Sequence, residues 1–260
     1  MLAVLSRNTK ALITLLSFSI FSYTHAIAPM PPQSILPPDT YFLSYPRSGK
    51  NLTTSYLQAL TDKPIRGFPP TLKLDETELD LNVNYFKQPI MCMHSIEHLL
   101  NKNNKLLLIV RNYKECLLRH LTESLTLQSV LPLFLQNEKD VLSYVSNLIS
   151  YDTWNPEKRL MIYYEDLIAD PITEMTKVLD FLEEPINENF NESYLKEVFK
   201  ESVIAYDHRY ETSGGSHTKG KNMTQHSDPL PLFVKQKIDQ HMKTTFPRIW
   251  HYISRYESVK

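Results

Sequence analysis

The sequence predicts an α/β fold, a single domain in which a central parallel sheet is flanked by helices. Short continuous apolar runs recur, and the clearest, Lys105–Val110, reads Lys-Leu-Leu-Leu-Ile-Val. Runs of that length bounded by polar residues are expected of strands buried on both faces. Segments with helical spacing alternate with these runs, as in βα units. A third observation is the stretch Tyr41–Leu52, Tyr-Phe-Leu-Ser-Tyr-Pro-Arg-Ser-Gly-Lys-Asn-Leu. It passes from an apolar run through Pro46 and Ser48-Gly49 into helical spacing, and so reads as strand, tight loop and helix start.

In chain order, Thr40–Ser44 is the first strand and Asn51–Leu60 the helix after the loop. Pro64–Pro70 reads as irregular and Glu76–Leu81 as a short helix. Pro89–His94 is a second apolar run, ending at His94, and Lys105–Val110 is the third. Tyr113–Leu127 and Asp140–Asp152 have helical spacing. Arg159–Tyr164 is another buried strand, and Glu165-Asp166 after it reads as a cap for a turn beginning at Leu167. Pro171–Leu182 is an amphipathic helix with Ile172, Met175, Val178, Leu179 and Leu182 on one face. Pro171 suits its first turn, and Asp170 is a natural N-cap. The tail from Pro231 is mostly helical, and no internal repeat is visible.

At 260 residues the chain suits one large domain with a substantial core. A net charge of −1 gives no support for a broad basic surface, so no nucleic-acid partner is expected. The two cysteines, Cys92 and Cys116, lie in apolar or mixed segments and read as buried free thiols rather than a disulfide framework. No CxxC or HExxH spacing occurs, so no metal site is expected. Residues 1–26 resemble a targeting segment: Arg7 and Lys10 precede the apolar run Ala11–Tyr23, and Thr24-His25-Ala26 resembles a cleavage site. Residues 27–39 form a proline-rich linker, and the main domain is expected over 40–260. Export, or membrane anchoring if the segment stays uncleaved, is the expectation, with a hydrophobic N-terminus of a cytoplasmic protein as the alternative.

In open parallel sheets, ligands bind beyond the carboxyl ends of the strands. The residues there are Tyr45–Gly49, His94-Ser95, Arg111-Asn112 and Tyr164–Asp166. The first loop is an anion cradle: unpaired N–H groups and the positive dipole end of a helix converge beside Arg47 and Lys50. It fails as a Walker A loop, because Ser44 stands at the first Gly position and Asn51 at the Mg²⁺-binding Ser/Thr position. A plain strand-turn-helix corner with two solvated cations is the alternative.

These segments together resemble the sulfotransferases that use 3′-phosphoadenosine 5′-phosphosulfate (PAPS). Tyr45–Gly49 is similar to their 5′-phosphosulfate loop, and Ile109–Cys116 to their 3′-phosphate motif. Tyr163–Leu167, followed by Asp170-Pro171 and the helix to Phe181-Leu182, is similar to their Tyr-Glu-Asp-Leu segment. The likeness runs from about Tyr41 to Phe246. It implies a P-loop-NTPase-like sulfotransferase fold, PAPS as co-substrate and no metal. By the same resemblance, Tyr45, Pro46, Arg47, Ser48, Gly49, Lys50, Asn51 and Leu52 form the cofactor loop. Arg47 would stabilise the leaving phosphate, Arg111 and Arg119 would bind the 3′-phosphate, and Tyr164 would sit beside adenine. Lys219 and Gly220 would close a later loop over the 3′-phosphate. His94 would be the base that takes the acceptor's proton, with His98 its rival.

The departures are Cys92-Met93 ahead of His94 where the family has Lys-Thr, Lys50 in place of a common Thr, Leu52 in place of a common Trp, Arg119 in place of a Ser eight residues after Arg111, and Thr218-Lys219-Gly220-Lys221 as a weak counterpart of the family's Arg-Lys-Gly loop. The expected acceptor is a small-molecule or glycan hydroxyl, or less readily an amine, with specificity set by loops around Gly67–Leu81 and Leu125–Gln136. Two other readings stay open: a catalytically inactive PAP-binding relative, and a P-loop kinase requiring Mg²⁺ and ATP. Asn51-Leu52-Thr53 is a glycosylation sequon inside the cofactor loop, which argues against passage through a glycosylating compartment.

Overall fold

The computed structural model describes residues 39–61, 65, 90–94, 102–121, 131–132, 134–137, 139–186, 188, 190–213 and 230–258, with the backbone alone for 118–121 and 204–213. Outside them lie the expected targeting segment and linker up to residue 38, the expected short helix at 76–81, His98, Lys219 and Gly220, and most of the loops expected to set specificity. The Arg119 side chain also lies outside them.

The described strands are β1 (Thr40–Ser44), β2 (Ile90–Met93), β3 (Lys105–Val110) and β4 (Arg159–Tyr163). They form one sheet in the order β2-β1-β3-β4. Every pairing is parallel, with Phe42 opposite both Cys92 and Leu107, and Val110 opposite Tyr163. The described helices are α1 (Lys50–Thr61), α2 (Tyr113–Leu121), α3 (Lys139–Asp152), α4 (Tyr164–Ala169), α5 (Pro171–Leu182), α6 (Glu192–Ser213), α7 (Leu232–Thr245) and α8 (Pro247–Ile253). None is long and apolar enough to cross a membrane.

The side-chain period of a strand divides the core into two layers. Tyr41, Leu43, Leu106, Leu108 and Val110 face one layer, which α2, α3, α7 and α8 complete. Phe42, Leu107, Ile109 and Ile162 face the other, completed by α1, α4, α5 and α6. A sheet covered on both faces explains why β1 and β3 read as continuous apolar runs without alternation.

β1, β3 and α5 have the expected bounds, and the remaining differences are mostly of one residue at element ends. One correction bears on the site. The fourth strand ends at Tyr163 and Tyr164 opens α4, so Glu165 and Asp166 lie in the helix's first turn and do not cap a turn at Leu167. Their carboxylates are drawn to distant donors instead: Asp166 takes a two-pronged contact from Arg255, at 2.6 and 2.7 Å. The expected N-cap of α5 is present, with Asp170 accepting from the Thr173 N–H at 3.0 Å.

Candidate active site

Strand order reverses direction around β1 and β3, and the residues just past all four strands gather at that end of the sheet. After β1 the chain makes a tight turn, in which the Ser48 N–H donates to the Tyr45 carbonyl at 3.1 Å. Pro46 occupies the second position and Arg47 the third, with φ of 69°, the pattern of a type II turn. The third position ordinarily takes glycine, so Arg47 is held in a strained conformation. Gly49 has φ of 101°, and a Cβ there would lie 2.3 Å from a ring carbon of Tyr164. Glycine therefore lets the loop lie against the aromatic ring.

The Thr53 N–H donates to the Gly49 carbonyl at 3.1 Å, which begins the hydrogen-bond ladder of α1. The first-turn N–H groups of a helix have no acceptor within it, and its dipole adds positive charge there. Arg47, Lys50 and Asn51 are half-buried at this corner, while Ser48 and Leu52 are buried. The Ser48 hydroxyl donates to the Tyr45 carbonyl at 2.7 Å. Tyr45 packs edge-on against Tyr144, with ring centres 5.5 Å apart. Leu52 lies in the core layer with Phe42 and Ile162. The residues of this loop that face outward are thus cations, amides and backbone.

His94 follows β2 and is exposed. Its Nδ1 lies 2.8 Å from the Ser44 carbonyl, which can only accept, so Nδ1 carries a proton and donates. In the neutral ring that leaves the lone pair on Nε2. Lys50 Nζ lies 3.3 Å from Nε2 and donates to it. The backbone of His94 is held too, its carbonyl accepting from Asn147 Nδ2 at 3.0 Å. Position 92, two residues earlier on β2, holds a buried thiol 3.8 Å from the Thr54 hydroxyl, and burial pushes its pKa up to about 11. Cys116, 3.8 Å from the Ser48 hydroxyl, is pushed up to about 12 by burial. Both cysteines are free and stay neutral near pH 7, unlike a reactive thiolate.

Past β3, Arg111 is only 3% exposed. One guanidinium nitrogen donates to Glu115 at 2.7 Å and another to the Arg47 carbonyl at 3.2 Å. The guanidinium also lies over the Tyr164 ring, 4.1 Å from its centre, a cation–π arrangement. The Tyr144 hydroxyl fixes the Arg111 carbonyl at 2.8 Å. One stack therefore runs from Gly49 through Tyr164 to Arg111. The structure thus brings together Arg47, Gly49, Lys50, His94, Arg111 and Tyr164.

Sequence reasoning missed Glu115, Asn147 and Glu165, whose carboxylate accepts from the Asn112 N–H. Glu115 had a signal, since it stands four residues after Arg111 on one helix and pairs of opposite charge at that spacing meet. Asn147 and Glu165 act across the fold and had none. Among the described residues no group of three or more His, Cys, Asp or Glu side chains is placed to hold a metal ion.

A family model described as the sulfotransferase domain matches residues 37–246. The fold is similar to that of mouse sulfotransferase SULT7A1 complexed with PAP, with 17% identity, 84% of this chain and 88% of that chain covered, and a TM-score of 0.56. It is also similar to retinol dehydratase in complex with androsterone and the inactive cofactor PAP, with 12% identity, 81% of each chain covered, and a TM-score of 0.53. At these identities the likeness is one of fold. No curated protein matches the chain by sequence.

Proposed function

The chain belongs to the sulfotransferase domain family, and we propose that it moves a sulfuryl group from PAPS to a hydroxyl, or less readily an amine, of a small-molecule or glycan acceptor. The observation that carries this reading is the setting of His94. Its Nδ1 proton is given to the Ser44 carbonyl, so its Nε2 lone pair lies beside the cationic start of α1. This setting supports reading His94 as a base beside an anion cradle, the pairing that attack of a hydroxyl on a bound sulfuryl group requires.

The residues fit such a co-substrate. The helix start with Arg47 and Lys50 suits a phosphosulfate, and Tyr164 with Arg111 offers an aromatic face and a guanidinium to the nucleotide. Glu115 nearly neutralises Arg111, so the 3′-phosphate would be held more by directed N–H donation than by net charge. When bound, PAPS supplies the sulfuryl group, and PAP is the leaving group. His94 Nε2 accepts the hydroxyl proton as the acceptor oxygen bonds to sulfur and the bond from sulfur to the phosphate oxygen breaks. Lys50 has to release Nε2 for that transfer, and its ammonium then serves the sulfuryl oxygens. Arg47 steadies charge on the departing phosphate and gives up no proton, because guanidinium stays protonated.

Androsterone in the retinol dehydratase complex supports a small-molecule acceptor as the first class to screen. The test is transfer of labelled sulfuryl from PAPS to a panel of phenols, alcohols, amines and glycans. His94→Ala should cut turnover by about 10²–10⁴-fold and leave PAP affinity within a few-fold of wild type. Turnover at the wild-type rate in His94→Ala would remove the histidine from the mechanism. PAP binding with no transfer to any acceptor would favour the inactive relative.

A further inference from the structure

The C-terminal segment has no part in the chemistry above, yet it reaches both strand ends that carry Arg111 and Tyr164. Tyr256 lies on the 3₁₀ turn Ser254–Tyr256, after α8. Its hydroxyl donates to Glu165 Oε2 at 2.6 Å. The other oxygen of the same carboxylate accepts from the backbone N–H of Asn112 at 3.1 Å. Glu165 directly follows Tyr164, and Asn112 directly follows Arg111. One carboxylate thus ties the turn after β3 to the start of α4, and Tyr256 holds that carboxylate. Burial, reinforced by the charge of Glu165, drives the Tyr256 hydroxyl's pKa upward, so it remains a donor.

Further contacts on two sides fix the segment itself. Lys114, buried on α2, donates to the Tyr256 carbonyl and to Asp239 Oδ1, each at 2.6 Å, and to the Ser258 hydroxyl at 3.2 Å. Asp239, buried on α7, accepts from the Ser258 N–H at 2.7 Å. On the other side Arg255 grips Asp166, and its guanidinium lies 4.3 Å from the centre of the Tyr163 ring. The tail is therefore pinned at Arg255, Tyr256 and Ser258, by anchors on β4, α4 and α2 beside the site and by Asp239 on α7.

We propose that this tail is a clasp, with Tyr256 acting through Glu165 as a positioning residue that sets the spacing of Arg111 and Tyr164 for the 3′-phosphoadenosine half of the co-substrate; this rests on the function proposed above. Glu165 is the shared member: it holds the Arg111 turn by a main-chain hydrogen bond and carries Tyr164 as its neighbour. Without the Tyr256 hydroxyl, one oxygen of a half-buried carboxylate loses its donor, and the tie between the two turns loosens. The phosphosulfate loop, Arg47–Lys50, makes none of these contacts with the tail; it meets Arg111 and Tyr164 only at the Arg47 carbonyl and Gly49 and is closed by its own Tyr45–Ser48 hydrogen bonds, so it changes less.

The experiment titrates full-length wild type, Tyr256→Phe, Glu165→Gln and Glu165→Ala with PAP and with adenosine 5′-phosphosulfate, which lacks the 3′-phosphate, and records melting temperature alongside. Tyr256→Phe should weaken PAP by about 5–20-fold, a part of the roughly 10–150-fold that a whole hydrogen bond to a charged group is worth, because the lost bond acts on the ligand only through Glu165. It should weaken adenosine 5′-phosphosulfate, which keeps the adenine that Tyr164 would face but lacks the 3′-phosphate, at least about threefold less than PAP, and raise KM for PAPS with little change in kcat. Glu165→Gln, which keeps an oxygen for the Asn112 N–H, should lose less than Glu165→Ala. Equal weakening of both nucleotides, or a lower melting temperature with unchanged PAP affinity, overturns the clasp and leaves the tail a structural support. If wild type itself binds no PAP, the proposed function falls, and the clasp with it.

Discussion

Arg47 is where the sequence departs most sharply from what its backbone would prefer. The third position of a type II turn favours glycine, and an L-residue at φ of 69° costs about 1–2 kcal/mol. Such strain persists where surrounding structure enforces it, and functional sites are where it collects. Here the Tyr45–Ser48 hydrogen bond closes the turn, and Arg111 donates to the Arg47 carbonyl from the other side. Arg47→Gly relieves the strain but gives the unfolded chain more freedom, an opposing effect of about 0.4–1 kcal/mol. The relief is the larger effect, so the melting temperature should hold or rise by about 1–3 °C. Sulfuryl transfer should fall by about 10²–10³-fold, the usual loss when a group that stabilises developing charge is removed. A variant that is both less stable and fully active would show that the arginine serves the fold alone. The identity of the residue was legible from its place in the Tyr-Pro-Arg-Ser-Gly run, whereas its strain came only with the backbone.

Among the elements, α5 shows why some boundaries could be read and others not. Its start is written in adjacent residues, Asp170 as N-cap and Pro171 in the first turn. Its end is a Schellman-type stop, with the Glu184 N–H on the Leu179 carbonyl and the Glu183 N–H on the Asp180 carbonyl. The left-handed residue there is Glu183, not glycine, so composition did not mark the stop as it marked the start. Asp170→Ala should cost about 0.5–2 kcal/mol, read as a fall of roughly 2–6 °C in melting temperature. Because the cap lies away from the four strand ends, kcat and KM should stay at wild-type values. A loss of activity at unchanged stability would mean that α5 bears on the site by a route this geometry does not contain. The start of α4 shows the opposite case: Glu165-Asp166 resembles a cap locally, and contacts with Tyr256 and Arg255 far along the chain decide its role.

At the scale of the whole molecule, the parallel sheet could be read because burial on both faces leaves continuous apolar runs, and the site could be placed because ligands gather past the strands. The side chains at those strand ends were legible one by one. Their couplings were not, because they depend on contacts between distant elements: His94 with Ser44 and Lys50, Arg111 with Tyr164, and Glu165 with Tyr256. The proposed co-substrate of this assembly is a 3′-phosphorylated phosphosulfate nucleotide, for which the loop's cations suffice without the hydroxyl that holds Mg²⁺ in a triphosphate site. Calorimetric titration of the full chain tests that proposal most directly, with PAP in one series and ATP with Mg²⁺ in the other. One PAP should bind per chain, unaffected by chelator and weakened at least about tenfold by Arg111→Ala through loss of a charge-assisted contact, with no saturable binding of Mg²⁺-ATP. Saturable binding of Mg²⁺-ATP without binding of PAP would contradict the proposal.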